Sequence, residues 1–285
     1  MKKFLKYFLI ILAIILLIGL AGFLFIEIRG IPSYEAKKID YKVEIISERV
    51  ERGKKLALLL CANCHKDRQT GALTGHLMPD VPKEFGTVYS QNITQDKTYG
   101  IGTWTDGELL YLLRTGVKRN GQYAPPWMAK LPHMADEDIN SVIAFLHSDD
   151  PMVAASPTPD TPCSPSFLSK FLATVAFKPL PMPEHKIEMP DTSNAVELGR
   201  YLVFNLECFS CHSADYKTND YLNPEKSVGY LGGGNKPLDL EGKEIVTQNL
   251  TPDDETGIGR MTEDAFVNEV KSGIKEGQPA LRLPM

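Results

Sequence analysis

The sequence predicts a helical protein, with one membrane-spanning helix at its N-terminus and two copies of a small helical domain after it. Three observations support this prediction. An uncharged, apolar run occupies residues 7–26. The pattern Cys-x-x-Cys-His occurs twice, at residues 61–65 and 208–212. Apolar residues recur at i, i+3, i+4 and i+7 within residues 139–146, which is the spacing of one face of a helix.

The N-terminal run has the length and flanking charges of a membrane anchor. About 20 apolar residues span a hydrocarbon core of roughly 30 Å, and lysines precede this run. Lysines on the cytoplasmic side place the rest of the chain outside, in an oxidising compartment. A cleaved signal peptide is the alternative, but its apolar core is usually only about 7–15 residues long. We therefore predict an uncleaved anchor at residues 1–29 of a single-pass protein of the cytoplasmic membrane, with its domains on the periplasmic side.

Each Cys-x-x-Cys-His pentamer predicts a site for covalent attachment of a c-type haem. Two cysteines at this spacing present both sulfurs to one edge of the porphyrin, where each forms a thioether. The histidine that follows lies under the ring and supplies a nitrogen to the iron. The residues are Cys61, Cys64 and His65 in the first pentamer and Cys208, Cys211 and His212 in the second. The sequence therefore predicts two covalently attached haem c groups.

Further patterns divide the chain into segments. A helix is expected from Ser47 into the first pentamer, and Gly53 within it either lets another helix cross closely or is a tolerated surface glycine. Thr105 to Glu108 has the spacing of a capping box, for a helix that ends near Gly116, and Asp136 starts a last helix. The predicted segments are the anchor at 1–29, a connector at 30–46, a first domain at 47–150, a linker at 151–190 and a second domain at 191–285.

The linker contains nine of the twenty prolines of the chain. Within it, Ser164-Pro165 predicts the start of a helix, and an apolar stripe follows that is expected to pack on one of the domains. The stripe comprises Phe167, Leu168, Phe171, Leu172 and Val175. Cys163 lies directly before this helix and is predicted to be either a bystander thiol or the site of an intermolecular disulfide.

From residue 91 onward the two halves align without a gap at an offset of 157 residues, which indicates an internal duplication. Met128 falls on Met285 in this alignment. Met128 also follows a double proline that holds the backbone extended, so we predict Met128 and Met285 as the second axial ligands of the two irons. Thioether ligation raises the reduction potential of a haem. The rival ligands in the first half are Met78, Met134, His76 and His133.

Four stretches resemble those of membrane-bound dihaem cytochromes c, which contain tandem class I cytochrome c domains: ERGKKLALLLCANCH, QNITQDKTYGIGTWTDGELLYLLRTGV, PPWM and ADEDINSVIAFLHS. Similar domains occur in cytochrome subunits of bacterial periplasmic alcohol and sugar dehydrogenases. The resemblance covers residues 47–148 and 191–285. It implies an all-α fold for each domain, histidine–methionine iron, and first and last helices that cross near Gly53 or Gly199. It also implies that Trp104 lies beside a haem propionate, whereas the second domain has Met261 at that position.

The second domain departs from this pattern at its end. The first domain continues past Met128 through a closing helix, but the sequence stops at Met285. Without such a helix, residues 195–206 would expose an apolar face at a cost of roughly 25 cal/mol per Å². We therefore expect the sequence to be an incomplete record of the second domain.

The leading hypothesis for function is an electron carrier rather than an enzyme. It would relay single electrons between a periplasmic donor and a respiratory-chain acceptor, as a free relay or as a fixed subunit of a dehydrogenase or oxidase complex. A dihaem peroxidase is the alternative, and it would need an iron with an open position. A structural zinc site is a third hypothesis, but its cysteine pairs would lie about 15–20 residues apart, whereas here most of the first domain separates them.

Charge gives weaker guidance about partners. The net charge of −5 gives no reason to expect a nucleic-acid partner. Residues 191–285 are acidic, which is typical either of a surface that docks a basic partner or of an ordinary solvated surface.

Overall fold

The computed structural model describes residues 2–124, 127–239 and 241–274 of the 285-residue chain. It is mostly helical, which confirms the predicted all-α class. The α-helices are α1 Lys2–Arg29, α2 Ser47–Leu60, α3 Ala62–His65, α4 Asp106–Thr115, α5 Asp136–Leu146, α6 Phe167–Val175, α7 Ala195–Asn205, α8 Cys208–His212 and α9 Glu263–Ser272. Short 3-10 turns occur at Lys83–Phe85, Tyr216–Thr218 and Pro224–Lys226, and the strands are β1 Gly86–Thr87 and β2 Ser164–Pro165.

Helix α1 carries the apolar run and buries none of its residues against the rest of the protein. Among the described helices, it alone is long and apolar enough to cross a membrane, with a mean hydropathy of 3.2 in its most apolar window. Side chains that are apolar on every face suit lipid better than water. By length and composition, α1 is therefore a membrane anchor or a signal sequence.

The core of the first domain forms where α2 crosses α5. A Cβ added to Gly53 of α2 would overlap the carbonyl oxygen of Ser141 and lie 2.9 Å from the Cβ of Phe145, both on α5. Glycine alone permits this approach, which confirms the expectation that another helix crosses at Gly53. Side chains of α4 and α5 fill the interior beside the crossing, and the buried members include Leu109, Leu110, Ile139, Val142, Ile143 and Phe145.

Helix α4 has the predicted ends. Thr105 Oγ1 accepts a hydrogen bond from Glu108 N at 3.2 Å, and the Glu108 carboxylate accepts one from Thr105 N at 2.9 Å, which completes a capping box. Gly116 ends the helix in the left-handed conformation, with φ of 81°. The buried Arg114 donates to Leu131 O and to Asp136 Oδ1, each at 2.6 Å, and so joins α4 to the start of α5.

Residues 30–46, expected as a connector, pack along the first domain. Tyr34 N donates to Gly121 O at 2.7 Å, and Val43 N donates to Asp106 Oδ2 at 2.8 Å. The side chain of Val43 is buried in the domain core. The chain that leaves α1 is therefore held against the domain that follows it.

The linker also packs on the first domain. Ser164–Pro165 pairs antiparallel with Gly86–Thr87, so the prediction that Ser164 caps the linker helix is wrong. Pro165 is extended in this pairing, so it cannot be the first helical residue after a cap at Ser164. The cap is Ser166, whose Oγ accepts from Ser169 N at 3.3 Å. Ser169 Oγ donates in turn to Phe85 O at 2.6 Å, which places α6 on the first domain. The apolar stripe does not make this contact as predicted, because Leu168, Phe171 and Val175 are exposed and the buried residues of α6 are Ser169 and Ala173.

The second half begins with α7, which contacts the first domain. Tyr201 Oη donates to Asp138 Oδ2 at 2.6 Å and accepts from Ala135 N at 3.0 Å, at the start of α5. Gly199, by contrast, has no atom of the described residues within 4 Å of an added Cβ. The close crossing found at Gly53 is therefore not repeated at Gly199 within the described part of the chain.

Candidate functional site

The first pentamer continues directly from α2. Hydrogen bonds from Cys61 N to Ala57 O and from His65 N to Cys61 O, each 2.8 Å, carry the helical path through it. The ring of His65 is fixed on one side, because its Nδ1 lies 2.7 Å from the backbone oxygen of Gln91. A carbonyl oxygen can only accept a hydrogen bond, so Nδ1 of His65 carries the proton and Nε2 keeps a lone pair that can bind a metal.

The second pentamer repeats this contact. His212 at the end of α8 has its Nδ1 2.8 Å from the backbone oxygen of Gln248. Gln248 is the residue that aligns with Gln91 at the offset of 157. Both histidines are therefore oriented by the same backbone group in the two halves, and both have Nε2 free to bind a metal.

Two glycines also repeat behind the histidines. Gly75 N donates to His65 O, and Gly233 N donates to His212 O, each at 2.8 Å. Both glycines are left-handed, with φ of 80° and 73°. An added Cβ would lie 2.9 Å from the carbonyl carbon of Gln91 in the first case, and 2.5 Å from that of Gln248 in the second. Each glycine thus lets a loop run close to the carbonyl that orients the histidine.

Sequence reasoning did not identify the residues that support the two histidines, which are Gln91, Gln248, Gly75 and Gly233. Gly233 lies in a glycine-rich loop at residues 229–235, and nothing in the loop itself indicates that Gly233 serves His212. The duplication could have found the pair, because Gly75 lies 16 residues before Gln91 and Gly233 lies 15 residues before Gln248. Position before the repeated glutamine was therefore the available signal.

A linker residue holds the orienting carbonyl of the first half. The side chain of Gln91 accepts a hydrogen bond from Lys118 Nζ and donates one to Asp160 Oδ2, the latter at 3.3 Å. Asp160 Oδ1 also accepts from Asn92 N at 2.6 Å. Burial raises the pKa of Asp160 above the usual range of a carboxyl group. The linker therefore takes part in the surroundings of His65.

The four pentamer cysteines are free thiols, each half-buried. Burial raises the pKa of Cys61 to about 12 and that of Cys64 to about 11, and it also raises the pKa values of Cys208 and Cys211. Within residues 2–124, 127–239 and 241–274, no group of three or more His, Cys, Asp or Glu could hold a metal ion without a cofactor.

The first half also matches a known family. Residues 50–149 match the family model for cytochrome c, from the first turn of α2 to just past the end of α5. Residues 50–149 are a cytochrome c domain. The matched residues include the first pentamer and Gln91.

Several known proteins are similar to most of the chain. The cytochrome c subunit of an alcohol dehydrogenase (quinone) from Gluconacetobacter polyoxogenes is 30% identical over 237 residues, or 80% of this chain and 48% of the relative. The gluconate 2-dehydrogenase cytochrome c subunit of Pantoea cypripedii is 32% identical over 224 residues, or 75% and 49%. A diheme cytochrome c-type protein of Cereibacter sphaeroides is 28% identical over 199 residues, or 67% and 63%. The chain thus spans about half the length of the first two.

The donor groups of the cytochrome c domain fit a covalently bound haem c. Cys61 and Cys64 are unpaired thiols at one end of a helix, and His65 offers Nε2 on the side away from Gln91. These are the two sulfurs and the one nitrogen that haem c attachment requires. The same set at Cys208, Cys211 and His212 fits a second haem.

Trp104 lies at the edge of the cytochrome c core. Its ring is half-buried against the core cluster, and the Arg119 guanidinium lies 5.2 Å from the ring centroid. Trp104 N donates to Ile101 O at 2.8 Å, and Met261 N donates to Ile258 O at 2.9 Å, so the two aligned residues share a turn.

Met128 is half-buried at a bend, and Trp127 separates it from residues 125–126. Residues 125–126 and Met285 lie outside the described residues. The rival ligands have other contacts. His76 has Nδ1 2.6 Å from Leu77 O and Nε2 3.3 Å from Asn63 O. His133 Nε2 lies 3.0 Å from Tyr221 O, in the second half of the chain. Met78 and Met134 are buried, and Met134 belongs to the core cluster.

Proposed function

We propose that the chain carries single electrons on the outer side of the cytoplasmic membrane, through two covalently attached haem c groups. When bound, each haem supplies an iron that accepts one electron from a donor and passes one electron to an acceptor. The residues of the chain supply the thioether sulfurs, the axial ligands and the docking surfaces. Catalysis of substrate oxidation is left to another protein.

The repeated histidine hydrogen bond carries this proposal. Behind each pentamer, a backbone oxygen accepts from Nδ1 of the histidine, at 2.7 Å from Gln91 and 2.8 Å from Gln248. Such a bond fixes the tautomer and the orientation of the ring, and it increases the basicity of Nε2 as a ligand. Two histidines prepared in this way, each after a cysteine pair, support two haem sites.

For the second axial position we propose Met128 and Met285. Support comes from the contacts of the rivals, because the ring nitrogens of His76 and His133 face backbone oxygens and Met134 packs inside the core. Methionine ligation would leave no open position on the iron. It therefore favours electron transfer over the peroxidase alternative.

The relatives suggest a donor. Two of them are named as cytochrome c subunits of an alcohol dehydrogenase and of a gluconate 2-dehydrogenase. We propose that this chain likewise accepts electrons from a dehydrogenase, either as its fixed subunit or as its relay, and passes them to a respiratory-chain acceptor. Co-purification of the tagged chain with a dehydrogenase that reduces it would identify the donor.

We also propose that α1 stays attached as a single-pass anchor. Two contacts join it to the folded part of the chain. Lys170 of α6 forms an ion pair with Glu27, and the rings of Phe23 and Phe167 stack with centroids 4.7 Å apart. Lysines before the apolar run favour a cytoplasmic N-terminus, with the haem domains outside.

Haem attachment to selected variants tests the proposal. The full chain is expressed in a host that matures c-type cytochromes, boiled in detergent and stained for haem on a denaturing gel, and haem per polypeptide is measured as the pyridine complex. Two haems per chain are expected. The pair Cys61→Ala and Cys64→Ala, or the pair Cys208→Ala and Cys211→Ala, should each leave one. Cys163→Ala is the control and should keep both, whereas loss of all colour from the boiled polypeptide would refute the proposal.

The axial ligand is tested separately. Met128→Leu should abolish the methionine–iron charge-transfer absorption of one ferric haem and lower its reduction potential. Met134→Leu is the matched control, because it conserves side-chain volume in the core and should leave both properties unchanged. An unaltered spectrum in Met128→Leu would remove Met128 from the ligand set, and rapid reaction of the wild type with peroxide would favour the alternative.

A further inference from the structure

The linker helix α6 presents a different surface on each of three sides. One side packs on the first domain through the buried Ser169 and Ala173. A second side contacts α1, through the Phe167 ring and the Lys170 ammonium. The third side is in contact with solvent and consists of Leu168, Phe171 and Val175, which are 39%, 38% and 55% exposed.

The exposed side of α6 is an apolar stripe. Its members lie at i, i+3 and i+7, so they project along one face of the helix. Single exposed apolar residues are ordinary on a protein surface. Here three exposed apolar residues lie along one face of a nine-residue helix. Together they form a continuous apolar patch, which indicates a contact surface.

The position of α6 along α1 indicates what covers this stripe. The uncharged run of α1 ends at residue 26, which marks the outer limit of the hydrocarbon core. Phe23 lies about 5 Å inside that limit at 1.5 Å per residue, and Glu27 lies just outside it. Because α6 contacts both residues, it straddles the boundary between the acyl chains and the headgroups.

We propose that α6 lies in the outer interface of the membrane, with Leu168, Phe171 and Val175 inserted at the boundary between headgroups and acyl chains. This is the location that an amphipathic helix with one apolar face adopts on a bilayer. The inference rests on the proposed retention of α1 as an anchor. A lipid surface is the occupant because the stripe continues from a helix that is itself surrounded by lipid.

This contact sets the orientation of the first domain. Ser169 Oγ donates to Phe85 O at 2.6 Å, and β2 just before α6 pairs with β1 of the same domain. A domain attached through α1 alone could pivot where α1 ends, at Arg29. Two attachment points at the membrane surface, α1 and α6, hold the haem domain at one height and one orientation for its partners.

Spin labels on the full haem-loaded chain test the inference. Haem attachment occupies the pentamer cysteines, so Cys163→Ser leaves no free thiol, and Phe171→Cys in that background provides one. The labelled protein is reconstituted in vesicles of phosphatidylethanolamine and phosphatidylglycerol. Collision of the label with oxygen, which enters lipid, is compared with its collision with a water-soluble nickel chelate. Lys186→Cys, at an exposed position of the same linker, is the matched control.

At position 171 we expect collision with oxygen to exceed collision with the nickel chelate, and at position 186 the reverse. A label at 171 that is as accessible to the chelate as one at 186 would overturn the inference. Protection from both reagents would also overturn it, since the stripe would then be covered by protein. More than one label per chain would instead show that a pentamer lacks haem. The mass of the labelled chain therefore distinguishes failure of the proposed function from failure of this inference.

A second variant keeps the test independent of position 171. In the background of Cys163→Ser with Val175→Cys, the change Leu168→Asp places a charge in the stripe. We expect it to move the label at 175 from oxygen-accessible to chelate-accessible, while haem content stays the same. An unchanged accessibility at 175 would contradict insertion of this face.

Discussion

The carbonyl oxygen of Ser141 lies so close to Gly53 that a Cβ on Gly53 would overlap it. The atoms involved belong to the backbones of α2 and α5, which cannot yield as a flexible side chain would. The same glycine position in the second half, Gly199, has no atom of the described residues within 4 Å of its added Cβ. These two glycines therefore form a matched pair for mutation.

Gly53→Ala is expected to destabilise the first domain. Forcing extra volume into a packed contact costs about 1–3 kcal/mol, which exceeds the gain of about 1 kcal/mol in helix propensity. Gly199→Ala should show the propensity gain without the clash. Denaturant unfolding of the haem-loaded chain measures both. A midpoint for Gly53→Ala at or above that of the wild type would contradict the close crossing.

Gly75→Ala is expected to reduce haem loading at the first pentamer alone, and Gly233→Ala at the second alone. Each added Cβ would displace the backbone that carries the carbonyl partner of His65 or His212. Haem per polypeptide, measured as the pyridine complex, should fall toward one.

Gly71 and Gly234 provide controls, because substitution there strains the left-handed backbone but brings the added Cβ into no close contact. Gly71 has only a flexible lysine atom at 3.8 Å from its added Cβ, and Gly234 has nothing within 4 Å among the described residues. Gly71→Ala and Gly234→Ala should keep both haems, at a stability cost of roughly 1–2 kcal/mol. Equal loss of haem in all four variants would mean that backbone strain, and not the carbonyl partner, controls loading.

Tyr201→Phe is expected to loosen the contact between the two halves. The phenol oxygen accepts from Ala135 N and donates to Asp138, which also pairs with Arg52. Leaving such groups unpaired costs about 1–3 kcal/mol. Limited proteolysis within residues 176–194 should become faster, and Tyr99→Phe, at an exposed tyrosine, should leave the rate unchanged. An unaltered rate in Tyr201→Phe would show that this bond does not hold the halves together.

His147 is expected to make the first domain sensitive to acid. Burial lowers the pKa of His147, although its Nε2 lies 3.3 Å from Asp106 Oδ1. Its pKa in the unfolded chain is about 6.5. Below that pH the unfolded chain binds the proton more readily, so stability is complete above about pH 6.5 and is lost as the pH falls through the lower folded pKa.

His147→Gln should therefore flatten the dependence of unfolding free energy on pH below about pH 6.5. Denaturant unfolding of the haem-loaded chain at several pH values measures the slope. Wild type and variant with the same slope would show that another group is responsible for acid sensitivity.

Elements governed by neighbours in sequence could be predicted. The capping box of α4 lies within Thr105 to Glu108, and its stop needs only the left-handed freedom of Gly116. The pentamers are equally local, because haem attachment depends on residues within one helical turn. The start of the linker helix was misplaced at Ser164, since the pairing with Gly86–Thr87 joins residues far apart in the chain.

The sequence by itself determined the helical class, the two pentamers, the duplication and the apolar helix, because each depends on composition or on spacings of a few residues. Only the tertiary structure decided which carbonyl orients each histidine, that Asp160 of the linker holds Gln91, and that α6 contacts α1. His65 and Gln91 are 26 residues apart, and Lys170 and Glu27 are 143 apart. Contacts at such separations are set by the packing of whole elements, and no local pattern encodes them.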